Sequence, residues 1–226
     1  MTEVTETAPA DLAGLYRDTR EPLADLVAGL DSGALSAAVP ACPGWAVRDV
    51  LAHLTAIPED AIAGRLTGIP DEEFTAGQVA RFADVSVPEI LERWSASAPQ
   101  FEEVVQAFWI WPAVIDVASH EQDIRGALGL PGARECAAIR QTTPRLVSWL
   151  DLTVRLRIVT EHDEYLAGGA EGEPSLTLTT TEFELFRSRM GRRSPAQLAA
   201  MDWSADPSAV LGHLVVFGPA TADIVE

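Results

Sequence analysis

Apolar residues recur at helical spacing through the first two-thirds of the chain and then give way to alternation. From about Ala10 to Leu30, the residues Leu12, Leu15, Leu23, Leu26, Val27 and Leu30 repeat at helical intervals. They predict a helix that Pro22 kinks or splits. Residues 1–9 read as a frayed tail, and Gly33 to Trp45, rich in Gly, Pro and Ala, as a connection. A second helix starts near Ala46 and ends near Pro58, or resumes beyond it to Leu66, and Gly68-Ile69-Pro70-Asp71 is a turn. Ser86-Val87-Pro88-Glu89 supplies a serine cap, a proline in the first turn and a glutamate at the capping-box position. Ile90, Leu91, Trp94, Phe101, Val104 and Val105 carry the helix it opens to about Ala107. Trp111-Pro112 opens the next, which runs to Leu128 and stops at Gly129-Leu130-Pro131. A further helix spans roughly Glu135 to Leu150. Long helices joined by short loops predict an antiparallel four-helix bundle over residues 1–150.

Val154 to Thr160 and Ser175 to Thr180 alternate and are rich in β-branched residues, which predicts strands, with Gly168 to Pro174 as a loop between them. Thr181-Glu182-Phe183-Glu184 opens a helix reaching Met190 and closed by Gly191. Ser194-Pro195 and Asp206-Pro207 each place a capping residue before a proline at a first helical position. Residues 151–226 therefore predict a small α+β unit, and the chain as a whole is α+β, mainly α.

At 226 residues, 47% of them apolar and 22% charged, the chain has the make-up of a globular protein with a real core. Its 34 acids against 16 bases give a net charge of −18, which argues against nucleic acid and against anionic membrane surfaces as partners. There is no apolar run of membrane-spanning length, and the acidic start Met1-Thr2-Glu3-Val4-Thr5-Glu6 is unlike a secretory signal. Two cysteines, Cys42 and Cys136, make neither a disulfide framework nor a paired-cysteine zinc site. A cytoplasmic protein with free thiols, monomer or homodimer, is the expectation.

Two of the four histidines sit in segments with chemical potential. His53 lies at the edge of the stripe formed by Val47, Val50, Leu51 and Leu54. Asp116 and His120 are four apart, so a helix stacks them on one face. Two imidazoles and a carboxylate would suit a divalent metal with an open coordination position. Taken alone, His53 is more often a hydrogen-bonded core histidine than a ligand, and Asp116 with His120 fits a solvated pair on a helix surface. Asp123 either orients His120 from behind or is a solvated helix residue, and Glu121 reads as surface. Cys42 is a reactive thiol or a small buried residue. Trp45, Trp94, Trp109 and Trp111 read as core or pocket wall, and His162 and His213 as residues with no metal role.

The segment Cys42-Pro43-Gly44-Trp45-x-Val47-Arg48-Asp49-Val50-Leu51-x-His53-Leu54 is followed far downstream by Asp116-x3-His120-Glu121-x-Asp123-Ile124-Arg125-x-Ala127-Leu128-Gly129. Together they resemble the mycothiol-dependent maleylpyruvate isomerase family, a group of DinB-like metal-binding bundles with a small sterol-carrier-like α+β domain at the C-terminus. The resemblance implies a divalent metal, zinc first, held by His53, Asp116 and His120. It implies mycothiol or a related low-molecular-weight thiol as cosubstrate, and a small electrophilic substrate that undergoes S-transfer or cis-trans isomerisation. It also implies a C-terminal arginine near the site, for which Arg192 in Gly191-Arg192-Arg193-Ser194-Pro195 is the candidate, although on its own Arg192 reads sooner as a surface residue. One position departs from the family pattern: Asp116 stands where the isomerases carry a glutamate. The other reading is a non-catalytic metal or small-ligand binding protein on the same bundle.

Overall fold

The computed structural model describes residues 10–169 and 172–226. The tail expected over residues 1–9, and Ala170 and Glu171 of the expected loop, lie outside the described residues. The chain divides into two compact units, one from Met1–Ala37 and Trp45–Val117 and the other from Ala38–Gly44 and Ala118–Glu226.

The first unit holds α1 (Leu12–Ala28), a short α2 (Ser32–Leu35), α3 (Val47–Ile62), α4 (Glu72–Ala80), α5 (Val87–Ala107) and the first turns of α6 (Trp111–Leu128). Pro22 lies inside α1 without ending it. Its position is exposed, so water can solvate the carbonyl that the proline leaves without an amide donor. Pro58 is likewise inside α3, which continues to Ile62. Ser86 accepts the Glu89 amide at 3.4 Å and opens α5, as its sequence predicts. The core of this unit is built from Leu12, Leu23, Val50, Leu51, Leu54, Ile90, Trp94 and Phe101, all nearly inaccessible to solvent. Each such side chain contributes about 1.5–3 kcal/mol on burial. Trp94 Nε1 donates to the Tyr16 hydroxyl at 3.0 Å, and the Tyr16 ring meets Phe101 edge-on at 5.2 Å, so the polar ends of these two large side chains pair with each other inside the core.

The short α4 departs from the sequence expectation, which passes from the turn at Asp71 directly to Ser86. Asp71 caps it by accepting the Phe74 amide at 2.8 Å, and Glu72 and Glu73 in its first turn favour the positive helix end. Its one buried residue is Gln78, so it offers no apolar stripe for a periodicity argument to find.

The second unit contains the rest of α6, then α7 (Ala137–Ser148), β1 (Leu156–Val159), β2 (Glu164–Ala167), β3 (Leu176–Thr179), α8 (Glu182–Arg189), α9 (Pro195–Ala199), β4 (Asp202–Trp203) and a 3₁₀ turn at Leu211–His213. The strands form one sheet in the order β2-β1-β3-β4, with β1 antiparallel to β2 and parallel to β3. Alternate residues Leu156, Ile158, Leu176 and Leu178 pack with Val147, Leu150, Leu185, Leu198 and Leu214. β2 is an edge strand with exposed Glu164 and Leu166, which hides it from a search for alternation. Ser194 and Gln197 form the capping box of α9. At Asp206-Pro207 the expected helix is instead a turn, in which Asp206 accepts the Ser208 amide at 3.0 Å, followed by the 3₁₀ turn. Gly191 closes α8 at φ +75°, where a Cβ would lie 2.2 Å from the Gly218 carbonyl oxygen. The protein is thus mainly helical with a small four-stranded sheet. Among the described residues no helix is long and apolar enough to cross a membrane.

Candidate metal centre

In the first unit, α3 turns His53 into the interior, where it is 3% exposed. The Asp49 carboxylate accepts the Ala46 amide at 2.9 Å and sets the start of that helix. His53 Nδ1 lies 2.9 Å from Gln78 Oε1, and Gln78 Nε2 lies 2.7 Å from Asp60 Oδ2. Asp60 in turn takes Arg65 at 2.7 Å and Arg81 at 2.9 Å. Burial alone would raise the Asp60 pKa, but hydrogen bonds from Arg81, Gln78 and Arg65 outweigh it and hold the carboxyl below its ordinary range. The other ring nitrogen, Nε2, is 3.5 Å from Asp116 Oδ2, and the Trp45 ring lies 5.4 Å from the imidazole.

Asp116 and His120 are one turn apart on α6, the helix that runs through both units. In the second unit His120 is 7% exposed and its Nδ1 is 2.9 Å from Asp123 Oδ2. Asp123 is buried and receives Arg187 at 2.7 Å on one oxygen and Arg192 at 2.9 Å on the other. Burial pushes its pKa up, while Arg192, Arg187 and the bond from His120 outweigh this and hold it well below the carboxylate range. Arg187 also donates to the Ser119 carbonyl at 3.1 Å and to Glu226. The sequence expectation of a solvated Asp123 therefore gives way to its other reading, a carboxylate behind His120. Glu121 is a correction: it is 2% exposed and bound to Arg125 at 2.9 Å, because α6 is buried on all sides here.

These contacts favour Nε2 as the cation-binding nitrogen of each ring. The ionised Asp123 only accepts, so His120 donates from Nδ1, and in the neutral ring the lone pair is then at Nε2. His53 is committed in the same sense through Gln78, so its Nε2 lone pair faces the Asp116 oxygen. Two acceptors at 3.5 Å favour a cation or a proton held between them, and a divalent ion suits an imidazole and a carboxylate together. The donor set fits a metal.

The remaining candidates fall into place by burial. Cys42, Sγ 3.5 Å from Asp123 Oδ2 and 3.8 Å from His120 Nδ1, has its thiol pKa pushed up by burial and then by the Asp123 charge. It is a protonated thiol at neutral pH, not an activated one. Arg192 has a side chain that is 13% exposed and lies against Asp123 rather than on the open surface. Trp94 is core, Trp111 is buried and Trp109 is 44% exposed. His162 and His213 are exposed, and among the described residues neither joins a group able to hold a metal. Sequence reasoning missed Gln78, Asp60, Arg187 and Glu226. Only the Pro70-Asp71 start of α4 could have hinted at the first of them.

Histidines and carboxylates on helices, with each histidine held from behind by a charged or amide partner, are donor groups of the kind that metal-binding helical proteins use. Residues 16–125, just under half of the chain, match the family model described as the mycothiol maleylpyruvate isomerase N-terminal domain. Two crystal structures of the mycothiol-dependent maleylpyruvate isomerase share its fold. One, a histidine-to-alanine mutant, aligns with a TM-score of 0.57 and 12% identity over 84% of this chain and 92% of its own. The other aligns with a TM-score of 0.51 and 14% identity over 85% and 92%. At such identities the likeness is one of fold alone. No curated protein matches the chain.

Proposed function

We propose that this protein is a metal-dependent enzyme of thiol chemistry that uses mycothiol, or a related small thiol, for S-transfer to, or isomerisation of, a small electrophilic substrate. His53, Asp116 and His120 are the proposed ligands and zinc the first choice of metal, although imidazole and carboxylate also accept nickel, iron or manganese. The observation that carries the reading is that both Nδ1 atoms lie on buried acceptors, so that Nε2 is the ligating atom of each neutral ring, with the Asp116 carboxylate 3.5 Å from that of His53. A bound divalent ion would supply a lowered thiol pKa, so that a thiolate is available at neutral pH.

The protein's own groups supply ligation and orientation. Arg187 is fully buried, whereas Arg192 keeps part of its side chain exposed, so of the two arginines on Asp123 it is Arg192 that can hold a substrate carboxylate. In the isomerisation, sulfur adds to a conjugated double bond, the resulting single bond rotates, and elimination returns the thiol unchanged. The family model matched over residues 16–125 is that of a mycothiol maleylpyruvate isomerase domain, which supports this reaction class.

Metal analysis of the purified chain is expected to find about one divalent ion, falling at least about tenfold in His53→Ala and in His120→Ala. Full occupancy in both variants would rule out the ligand set. Turnover of cis-configured conjugated acids should require mycothiol and fail with glutathione. Asp116 in the place of a glutamate favours a second reading, a non-catalytic metal or small-ligand binder. Metal binding without thiol-dependent turnover over a panel of electrophiles would select it.

A further inference from the structure

The residues behind His53 form a chain in which each proton position follows from the one before. Arg65 and Arg81 both donate to Asp60, so Asp60 is ionised and can only accept. Asp60 therefore fixes the Gln78 amide with its NH2 toward the carboxylate and its oxygen toward His53. That oxygen can only accept, so His53 must donate from Nδ1, and in the neutral ring the lone pair then lies at Nε2, on the side of Asp116. The Asp60 side chain is inaccessible to solvent, Gln78 is 1% exposed and His53 is 3% exposed, so bulk water does not stand in for any link. All of these residues belong to one compact unit.

From this geometry we propose that Gln78, itself oriented by Asp60, is a positioning residue that holds His53 in the Nδ1–H tautomer and so makes it a metal ligand. The inference rests on the metal reading above and adds to it a residue of α4 that touches neither metal nor substrate. An acceptor on Nδ1 also makes Nε2 a better donor, and partners of this kind are worth about 10–100-fold in metal affinity. A glutamine behind a ligand histidine has a consequence that a carboxylate would not: an amide can flip, so its direction must be set by a further group, here Asp60.

The test uses the full chain stripped of metal, with imidazole nitrogens labelled with ¹⁵N, at about pH 8 where a histidine ring is ordinarily neutral. Long-range proton–nitrogen spectra should show His53 as Nδ1–H in the wild type and as a mixture, or as Nε2–H, in Gln78→Met, which keeps the length of the side chain but cannot hydrogen-bond strongly. Zinc affinity, read by competition with a chromophoric chelator, should fall by about 10–100-fold in the same variant. A wild-type His53 that lacks Nδ1–H, or Nδ1–H retained in full in Gln78→Met, would overturn the proposal whatever the affinity does. Should Gln78→Met fail to fold, Asp60→Asn serves instead: an amide there both donates and accepts, so the Gln78 orientation relaxes and mixed tautomers are expected, and an unmixed Nδ1–H ring overturns the proposal. A wild type that takes up no zinc would defeat the metal reading, while the tautomer spectra would still decide the role of Gln78.

Discussion

At Asp60 two guanidinium groups and an amide outweigh the cost of burying a carboxylate, so the folded-state pKa is depressed. A depressed pKa adds stability above the unfolded value, near about 4, and loses it as pH falls through the lower folded value. Asp60→Asn is expected to be less stable than the wild type by about 2 kcal/mol at pH 7, the scale of hydrogen bonds to charged groups. The gap should narrow as both are acidified below about pH 4. Urea unfolding at pH 7 and pH 3 measures it, and a constant gap would remove the Asp60 charge from the account. The ligand candidates His53, Asp116 and His120 were legible in the sequence because each sits in a local motif. Gln78, Asp60 and Arg187 were not, because each acts through a partner far along the chain, 25 residues away for Gln78 and His53 and 64 for Arg187 and Asp123.

At the scale of elements, α6 is the unusual one. Ser119, His120, Glu121, Gln122 and Asp123 are five consecutive polar residues, and all are buried. Ordinary amphipathic helices send most such residues to water, so a helix of this kind is held by specific partners such as Arg187, Arg192 and Arg125. Periodicity located the ends of α6 correctly but placed Glu121 on the surface, since pattern alone cannot reveal what covers the second face. Burial raises the Glu121 pKa, and the Arg125 charge only partly offsets it. A raised folded pKa means that stability falls as pH rises through the carboxylate range. Glu121→Gln at pH 7 is therefore expected to match or exceed the wild type, within about 1 kcal/mol, in thermal unfolding. A loss much larger than that would show that the pairing with Arg125 outweighs the cost of burying the charge. The edge strand β2 and the helix α4 escaped the sequence for the opposite reason: they bury too little apolar surface to leave a periodic signature.

For the whole molecule, metal binding should appear as stability. An ion that binds only the folded state raises it by about 2.7 kcal/mol at a free concentration one hundred times its Kd. Removing the ion with a chelator is expected to lower Tm, and zinc to restore it. The net charge of −18 attracts cations of every kind, so magnesium at the same concentration is the control. An equal shift with both ions would mean charge screening and no site. In His120→Ala the zinc shift should disappear.

The chain's local chemistry determined most of the helices, the change to a strand-bearing final third, and the pair Asp116 and His120 on one face of a helix. Caps, breakers and spacing act over a few residues, and they are written in order along the sequence. Tertiary structure alone decided that Asp123 is a buried partner of His120, that Cys42 is a protonated thiol and that Gln78 stands behind His53. Those outcomes depend on which distant side chains meet out of water. There the cost of leaving a charge or a lone pair unsatisfied becomes large enough to set protonation and tautomer.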